Sequence, residues 1–187
     1  MEEKLKQKPG NLVKIVLFGP ESTGKTTLSR QLAAHYNTTW VPEYMREYLQ
    51  KKWDTERKTC EPEDMLPIAE GQIQRENRKA DNAKEYLFCD TDLMELKVYS
   101  EVYYGKCDPE IEKFALQNRY DLYFLTYIDV PWEGDDLRDK PGEREEMFRY
   151  FKNTLDVHDR PYVILKGSKE KRLQQALKCI EKLVRDK

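Results

Sequence analysis

The sequence lacks the features that would commit its 187 residues to a membrane, a disulfide framework or a polyanionic partner. No apolar run approaches the roughly 20 residues of a membrane span. The longest, Ile15-Val16-Leu17-Phe18, suits a strand. Residues 1–8 are mostly polar and charged, so no secretory leader is expected. Cysteine is sparse and scattered: Cys60, Cys89, Cys107 and Cys179 form no CxxC pair, and the only histidines are His35 and His158. That argues against a zinc site and for reduced thiols in a cytoplasmic protein. A net charge of −2 leaves no basic face for nucleic acid. The basic run at 166–172 is interrupted by Glu170 and reads as solvated surface. Repeats, low-complexity tracts and linkers are also missing. The expectation is a disordered lead over 1–11 and one domain over 12–187, with neither nucleic acid nor membrane as partner. Oligomeric state is not legible.

What is present is a regular alternation of short apolar runs and longer amphipathic ones. Val13 to Phe18 reads as a strand buried on both faces. Residues 25–36 then read as a helix with Leu28, Leu32 and Ala33 on one stripe. Further strands are expected over 39–42, 87–89, 120–129 and 162–165. Helices are expected over 43–52, 63–86, 93–104, 143–155 and 169–185. Strands and helices in alternation give an α/β fold, a parallel sheet covered on both faces with ligands at its carboxyl edge.

Between the first strand and its helix lies Gly19-Pro20-Glu21-Ser22-Thr23-Gly24-Lys25-Thr26, a full match to GxxxxGK[ST]. Glycine allows such a loop to wrap phosphates so that backbone N–H groups point inward, and the helix N-terminus adds partial positive charge. Lys25 supplies a mobile cation for the β- and γ-phosphates, and the Thr26 hydroxyl can ligate Mg²⁺. The expected phosphate-binding set is Gly19, Glu21, Ser22, Thr23, Gly24, Lys25, Thr26 and Thr27. A guanine-reading NKxD motif is lacking, which argues against a regulatory GTPase. A short chain with a charged loop late in the fold fits an ATP-dependent small-molecule kinase.

Phosphoryl transfer needs positioning, charge neutralisation and usually a carboxylate near the attacking hydroxyl. Glu43, just past the second strand, is the candidate base or orienter; its bland alternative is a charge at a helix start. Asp90 and Asp92 straddle the end of the third strand. Alternation along an extended backbone would point both to one side, with Thr91 away. Asp90 is then expected on the metal side and Asp92 on the substrate hydroxyls, or the reverse; the bland alternative is a helix N-cap. After the fourth strand a loop runs from Trp132 through Asp135-Asp136-Leu137-Arg138 and Pro141-Gly142 to Arg144. It is expected to form a lid over about 131–145, with Arg138 and Arg144 neutralising phosphate charge.

These runs taken together resemble a known family. Phe18 to Thr26, Trp40-Val41-Pro42-Glu43-Tyr44-Met45-Arg46-Glu47-Tyr48, Gly71-Gln72, Asp90-Thr91-Asp92 and Tyr103-Tyr104-Gly105-Lys106 look like the ribosylnicotinamide kinase domain of NadR-type proteins. The Asp136-Leu137-Arg138 segment is similar to that family's lid. The resemblance implies a P-loop nucleoside kinase-like fold with strand order 2-3-1-4-5, and ATP plus Mg²⁺. It further implies phosphorylation of the 5′-hydroxyl of nicotinamide riboside to nicotinamide mononucleotide in NAD salvage. Lys25, Glu43, Asp90 and Arg138 would be catalytic, with Thr26 and Asp90 on the metal. Glu43, Tyr44, Arg46, Gln72, Asp92, Tyr103 and Trp132 would bind substrate, the aromatic ones by stacking on the pyridinium. NadR-type proteins carry an adenylyltransferase domain, and often a DNA-binding segment, ahead of this one. Only about a dozen residues precede the first strand here, so neither activity is expected. The alternatives are a kinase for another nucleoside or small alcohol, and a regulatory nucleotide-binding ATPase.

Overall fold

A computed structural model describes residues 3–135, 137–138 and 141–187. Five strands, β1 (Val13–Phe18), β2 (Trp40–Val41), β3 (Tyr86–Asp90), β4 (Leu122–Thr126) and β5 (Tyr162–Leu165), form one parallel sheet in the order β2-β3-β1-β4-β5. Seven helices flank it: α1 (Lys25–His35), α2 (Tyr44–Glu56), α3 (Met65–Ala80), α4 (Leu93–Tyr104), α5 (Pro109–Gln117), α6 (Arg144–Val157) and α7 (Lys169–Arg185). This is the expected order and layering.

Every residue of β1 is buried, as a central parallel strand requires. Its side chains alternate between two cores. Ile15 and Leu17 pack with Leu28 and Leu32 of α1 and with Ala176 and Ile180 of α7. Val16 and Phe18 face the larger core of α2 to α6. Because β3 and β4 pair on either side of β1, the loops after β1 and β3 emerge together at the carboxyl edge. Gly19 can stand there only as glycine: its φ is +142°, and a Cβ would lie 2.7 Å from the Thr126 hydroxyl.

Several expectations are corrected. The lead is not loose in its described part. Leu5 is buried in the larger core, and Asn118 Nδ2 donates to its carbonyl at 3.0 Å. The helix expected over 63–86 starts after a 3-10 turn (Pro62–Asp64) and stops at Ala80, leaving Tyr86 to open β3. Pro67 sits in its first turn, where a missing N–H costs nothing. The strand expected over 120–129 pairs only over Leu122–Thr126, where β1 and β5 offer partners. Helix α5 was not expected at all, although Asp108 caps it and Pro109 opens it.

Candidate active site

Strand β1 delivers the glycine loop onto the N-terminus of α1. Gly24 takes a left-handed conformation at φ +85°, and Ser22 does so at +57°. Lys25 folds back over the loop it closes, its Nζ donating to the carbonyls of Gly19 at 2.7 Å and Pro20 at 2.8 Å. Thr26 donates to Asp90 Oδ2 at 2.5 Å, so the loop and the end of β3 are joined through one hydroxyl. Thr23 is turned inward, its hydroxyl 2.8 Å from the Pro20 carbonyl and 2.6 Å from the Thr126 hydroxyl.

Facing the loop is one large cavity of about 970 Å³, a volume suited to two small ligands side by side. One end is the loop itself, Glu21 to Thr27, with Gly167, Ser168 and Lys169 beyond it. The other end is walled by Met45, Leu49, Thr59, Cys60, Met65, Tyr99, Tyr103 and Tyr104. Glu43 and Arg46, one helical turn apart at the start of α2, stand on the wall, as does Arg138. Desolvation raises the Glu43 pKa to about 7; the Asp90 charge adds to this, and Lys25 and Arg46 oppose it. Burial likewise raises the Asp90 carboxyl above its usual range. A carboxyl poised near neutrality beside a phosphate loop can accept a proton from a hydroxyl.

Asp90 lies behind Thr26, and its Oδ1 is buried with no hydrogen-bond partner. A hydroxyl and an unsatisfied carboxylate oxygen suit a hard divalent cation that keeps most of its water. Sequence reasoning missed a third carboxylate close by. Glu95, in the first turn of α4, is 1% exposed, lacks hydrogen bonds at both oxygens and lies 3.6 Å from Lys25 Nζ. Its only legible mark was its place three residues after the Asp92 cap.

Six expected site residues do other work. Thr91 has φ +74°, a strained value for a β-branched residue. That kink breaks the assumed alternation, so Asp92 does not share the direction of Asp90. Asp92 instead caps α4, accepting from Glu95 N at 3.1 Å and from the Tyr123 hydroxyl at 2.7 Å, and it does not reach the cavity wall. Gln72 is buried in α3, where its Oε1 accepts from Tyr44 N at 2.7 Å. Tyr44 lies flat on Gly71, with Arg75 4.9 Å from its ring centre, away from the cavity. Trp132 lines a small cleft that shares Glu21, Tyr99 and Tyr103 with the cavity, the Arg144 guanidinium 5.8 Å from its ring centre. Arg144 spends its guanidinium on the carbonyls of Val130 (2.8 Å) and Ser22 (3.1 Å), tying α6 to the loop rather than facing a phosphate. Gly19 sits behind the wall against Thr126.

The basic run at 166–172 is not simply solvated surface. Arg172 is 3% exposed, donating to the carbonyls of Thr23, Tyr127 and Gly167 and pairing with Asp129. It braces the glycine loop from behind. Val130, Pro131, Glu133, Leu137 and Arg138 also line the cavity: Glu133 N donates to Ser22 Oγ at 2.9 Å, and Asp135 pairs with Arg46. Arg138 donates to the Glu133 carbonyl at 2.5 Å. Asp136, named with Leu137 and Arg138 in the expected lid, lies outside the described residues, as do Asp139 and Lys140.

Residues 14–172 match the family described as AAA domain, and the chain belongs to that family. It is 28% identical over 96% of its length to the trifunctional NAD biosynthesis/regulator protein NadR of Escherichia coli (strain K12), covering 43% of that protein. To the protein of the same name from Salmonella typhimurium it is 30% identical over 70% of its length, covering 32%. The chain thus spans less than half of these curated relatives. Among solved structures, a NadR protein in complex with NR superposes with a TM-score of 0.80 at 23% identity, over 92% of this chain and 52% of that one. Thymidylate kinase from Candida albicans superposes at 0.68 with 15% identity, over 94% and 93%. The fold is that of the P-loop nucleoside kinases.

Proposed function

We propose that the chain is an ATP-dependent kinase that phosphorylates the 5′-hydroxyl of nicotinamide riboside, giving nicotinamide mononucleotide. The observation that carries this reading is a single cavity with a glycine phosphate loop at one end. An apolar and tyrosine-rich chamber lies at the other, and Glu43 stands on the wall with its pKa raised to about 7. A loop that only hydrolysed nucleotide would have no need of the second chamber. The choice of acceptor rests on the likeness to NadR proteins, named for NAD biosynthesis and, in one solved structure, bound to NR.

In this mechanism the backbone N–H groups of the loop and the Lys25 ammonium hold the β- and γ-phosphates of ATP. Lys25 leaves the carbonyls of Gly19 and Pro20 to do so. The acceptor's 5′-oxygen attacks the γ-phosphorus while the carboxylate of Glu43 takes up its proton; the P–O bond to ADP breaks in line. Arg138 and Arg46, both on the cavity wall, neutralise charge on the moving phosphoryl group. Mg²⁺ would be held by the Thr26 hydroxyl and Asp90 and would supply charge neutralisation at the phosphate oxygens. Residues 130–135, pinned to Ser22 and Arg46, would exclude water from the reacting groups.

The test is a panel of nucleosides and small alcohols incubated with the chain, ATP and Mg²⁺, with products weighed by mass spectrometry. Nicotinamide riboside is expected to gain one phosphoryl group faster than any other compound. Phosphorylation of a different alcohol alone would overturn the acceptor. Release of ADP with no phosphorylated product would overturn the kinase.

A further inference from the structure

The acceptor end of the cavity is closed by residues 57–61, a segment with no regular secondary structure that brings Thr59 and Cys60 to the wall. Its beginning is set by Arg57, which ends α2 in a left-handed conformation at φ +56°. Its end is set by a buried knot. Lys52 of α2 places its Nζ 2.6 Å from Asp64 Oδ2 and 2.7 Å from Glu61 Oε2. Asp64 also accepts from Glu61 N at 2.8 Å and from the Tyr48 hydroxyl at 3.0 Å. The side chains of Lys52 and Asp64 are each only 10% exposed. An exposed pair of this kind would hold little. Here the Lys52–Asp64 pair is largely covered and both Asp64 oxygens are engaged, while Glu61 stays exposed, and the pair fixes α2, the segment and the start of α3 to one another. Between the two anchors, Cys60 is held by its hydrogen bond with the Tyr104 hydroxyl and by weak sulfur contacts, at 3.8 Å to the Glu61 carbonyl and 3.9 Å to Met65 Sδ.

We propose that Lys52 and Asp64 are positioning residues for acceptor recognition: their pair sets where Thr59 and Cys60 stand, and so the width of the chamber that receives the acceptor's ring. Neither residue touches the cavity, so both act through the segment. The inference rests on the reading of that chamber as the acceptor site. It separates the two ends of the cavity, since the knot's hydrogen bonds and ion pairs, among the described residues, join Lys52, Asp64, Glu61 and Tyr48 and not the glycine loop.

The experiment uses the whole chain with Lys52→Met, which keeps the stem and removes the charge, and Lys52→Arg, which restores it. Two quantities are read: the KM for acceptor against the KM for ATP, and the rate at which N-ethylmaleimide labels Cys60, located by peptide mass with Cys107 as internal reference. Burial holds the Cys60 thiol above its ordinary range, so labelling of the parent is slow. Lys52→Met is expected to raise the acceptor KM about tenfold, to leave the ATP KM within about twofold and to label Cys60 several times faster. Lys52→Arg should lie close to the parent. A folded Lys52→Met with unchanged acceptor KM and unchanged Cys60 labelling overturns the inference, as does a parallel rise in both KM values. Should Lys52→Met fail to fold, Tyr48→Phe removes one hydrogen bond to Asp64; smaller shifts in the same direction support the inference and none overturns it. Faster Cys60 labelling in a chain whose parent phosphorylates no alcohol would leave the knot's role standing and overturn the kinase reading instead.

Discussion

The two ends of the cavity are built by different means. The phosphate end is made of backbone: seven consecutive residues, Glu21 to Thr27, their N–H groups and the helix they open, braced from behind by Arg172. The acceptor end is made of side chains drawn from α2, residues 57–61, the start of α3 and the end of α4. A backbone site is fixed by a contiguous pattern. A side-chain site depends on how distant elements pack, so its parts can be replaced one at a time.

Substitutions at the two ends should therefore fail differently. The largest loss is expected for Lys25→Ala, about 10³-fold in kcat with the acceptor KM little changed, because Lys25 supplies the ammonium that folds over the loop at Gly19 and Pro20. Steady-state kinetics with each substrate varied in turn would show it, and a shift confined to the acceptor KM would erase the division between the ends. Next comes Arg172→Ala, which leaves three backbone carbonyls without this donor and Asp129 without its guanidinium partner, though still accepting from the Gly167 N–H. It should cost roughly 3 kcal/mol of stability, read as a lower denaturant midpoint.

Glu43→Gln should lower turnover about 10²-fold with ATP binding retained. The parent's pH profile gives the same residue a second test. Burial and the Asp90 charge raise its carboxyl pKa to about 7, and only the ionised form accepts a proton. As pH falls through about 7 the group protonates, so kcat/KM should drop, approaching tenfold per unit, and that limb should vanish in Glu43→Gln. The smallest effect belongs to Gly71→Ala. A Cβ there would lie 2.1 Å from the Tyr44 ring, so the ring that seats the start of α2 must move, at about 2 kcal/mol. Unaltered thermal unfolding would show that α2 does not depend on this contact.

The same contrast explains what could be read before the fold was known. Strands β1 and β5 and helices α4 and α7 were legible to the residue, because their periodicity and end residues agree. The glycine loop was legible because its function is written in consecutive positions. Glu43, Arg46 and Tyr103, named from strand-end and family cues, stand on one cavity wall. Tyr44, Gln72, Asp92 and Trp132 do not line it. Alternation suggested that Asp92 would follow Asp90, and a left-handed Thr91 defeats that reasoning. Tyr44 and Gln72 sit in the right motifs but face each other across the contact of α2 with α3, where Gly71 makes room for the ring. Arg172 was hidden in a run of charges, since composition cannot tell a buried guanidinium with four partners from a solvated one. Cys60 and Met65 carried no pattern; only the packing of α2 on α3 brings them to the wall.

The most direct measurement is the ratio of nicotinamide mononucleotide formed to ADP formed when the chain turns over ATP with nicotinamide riboside, compared with Glu43→Gln. A ratio near one, with both products falling together in the variant, is what a joined two-ended site predicts. ADP released at the same rate with and without nicotinamide riboside, and unchanged in the variant, would contradict it.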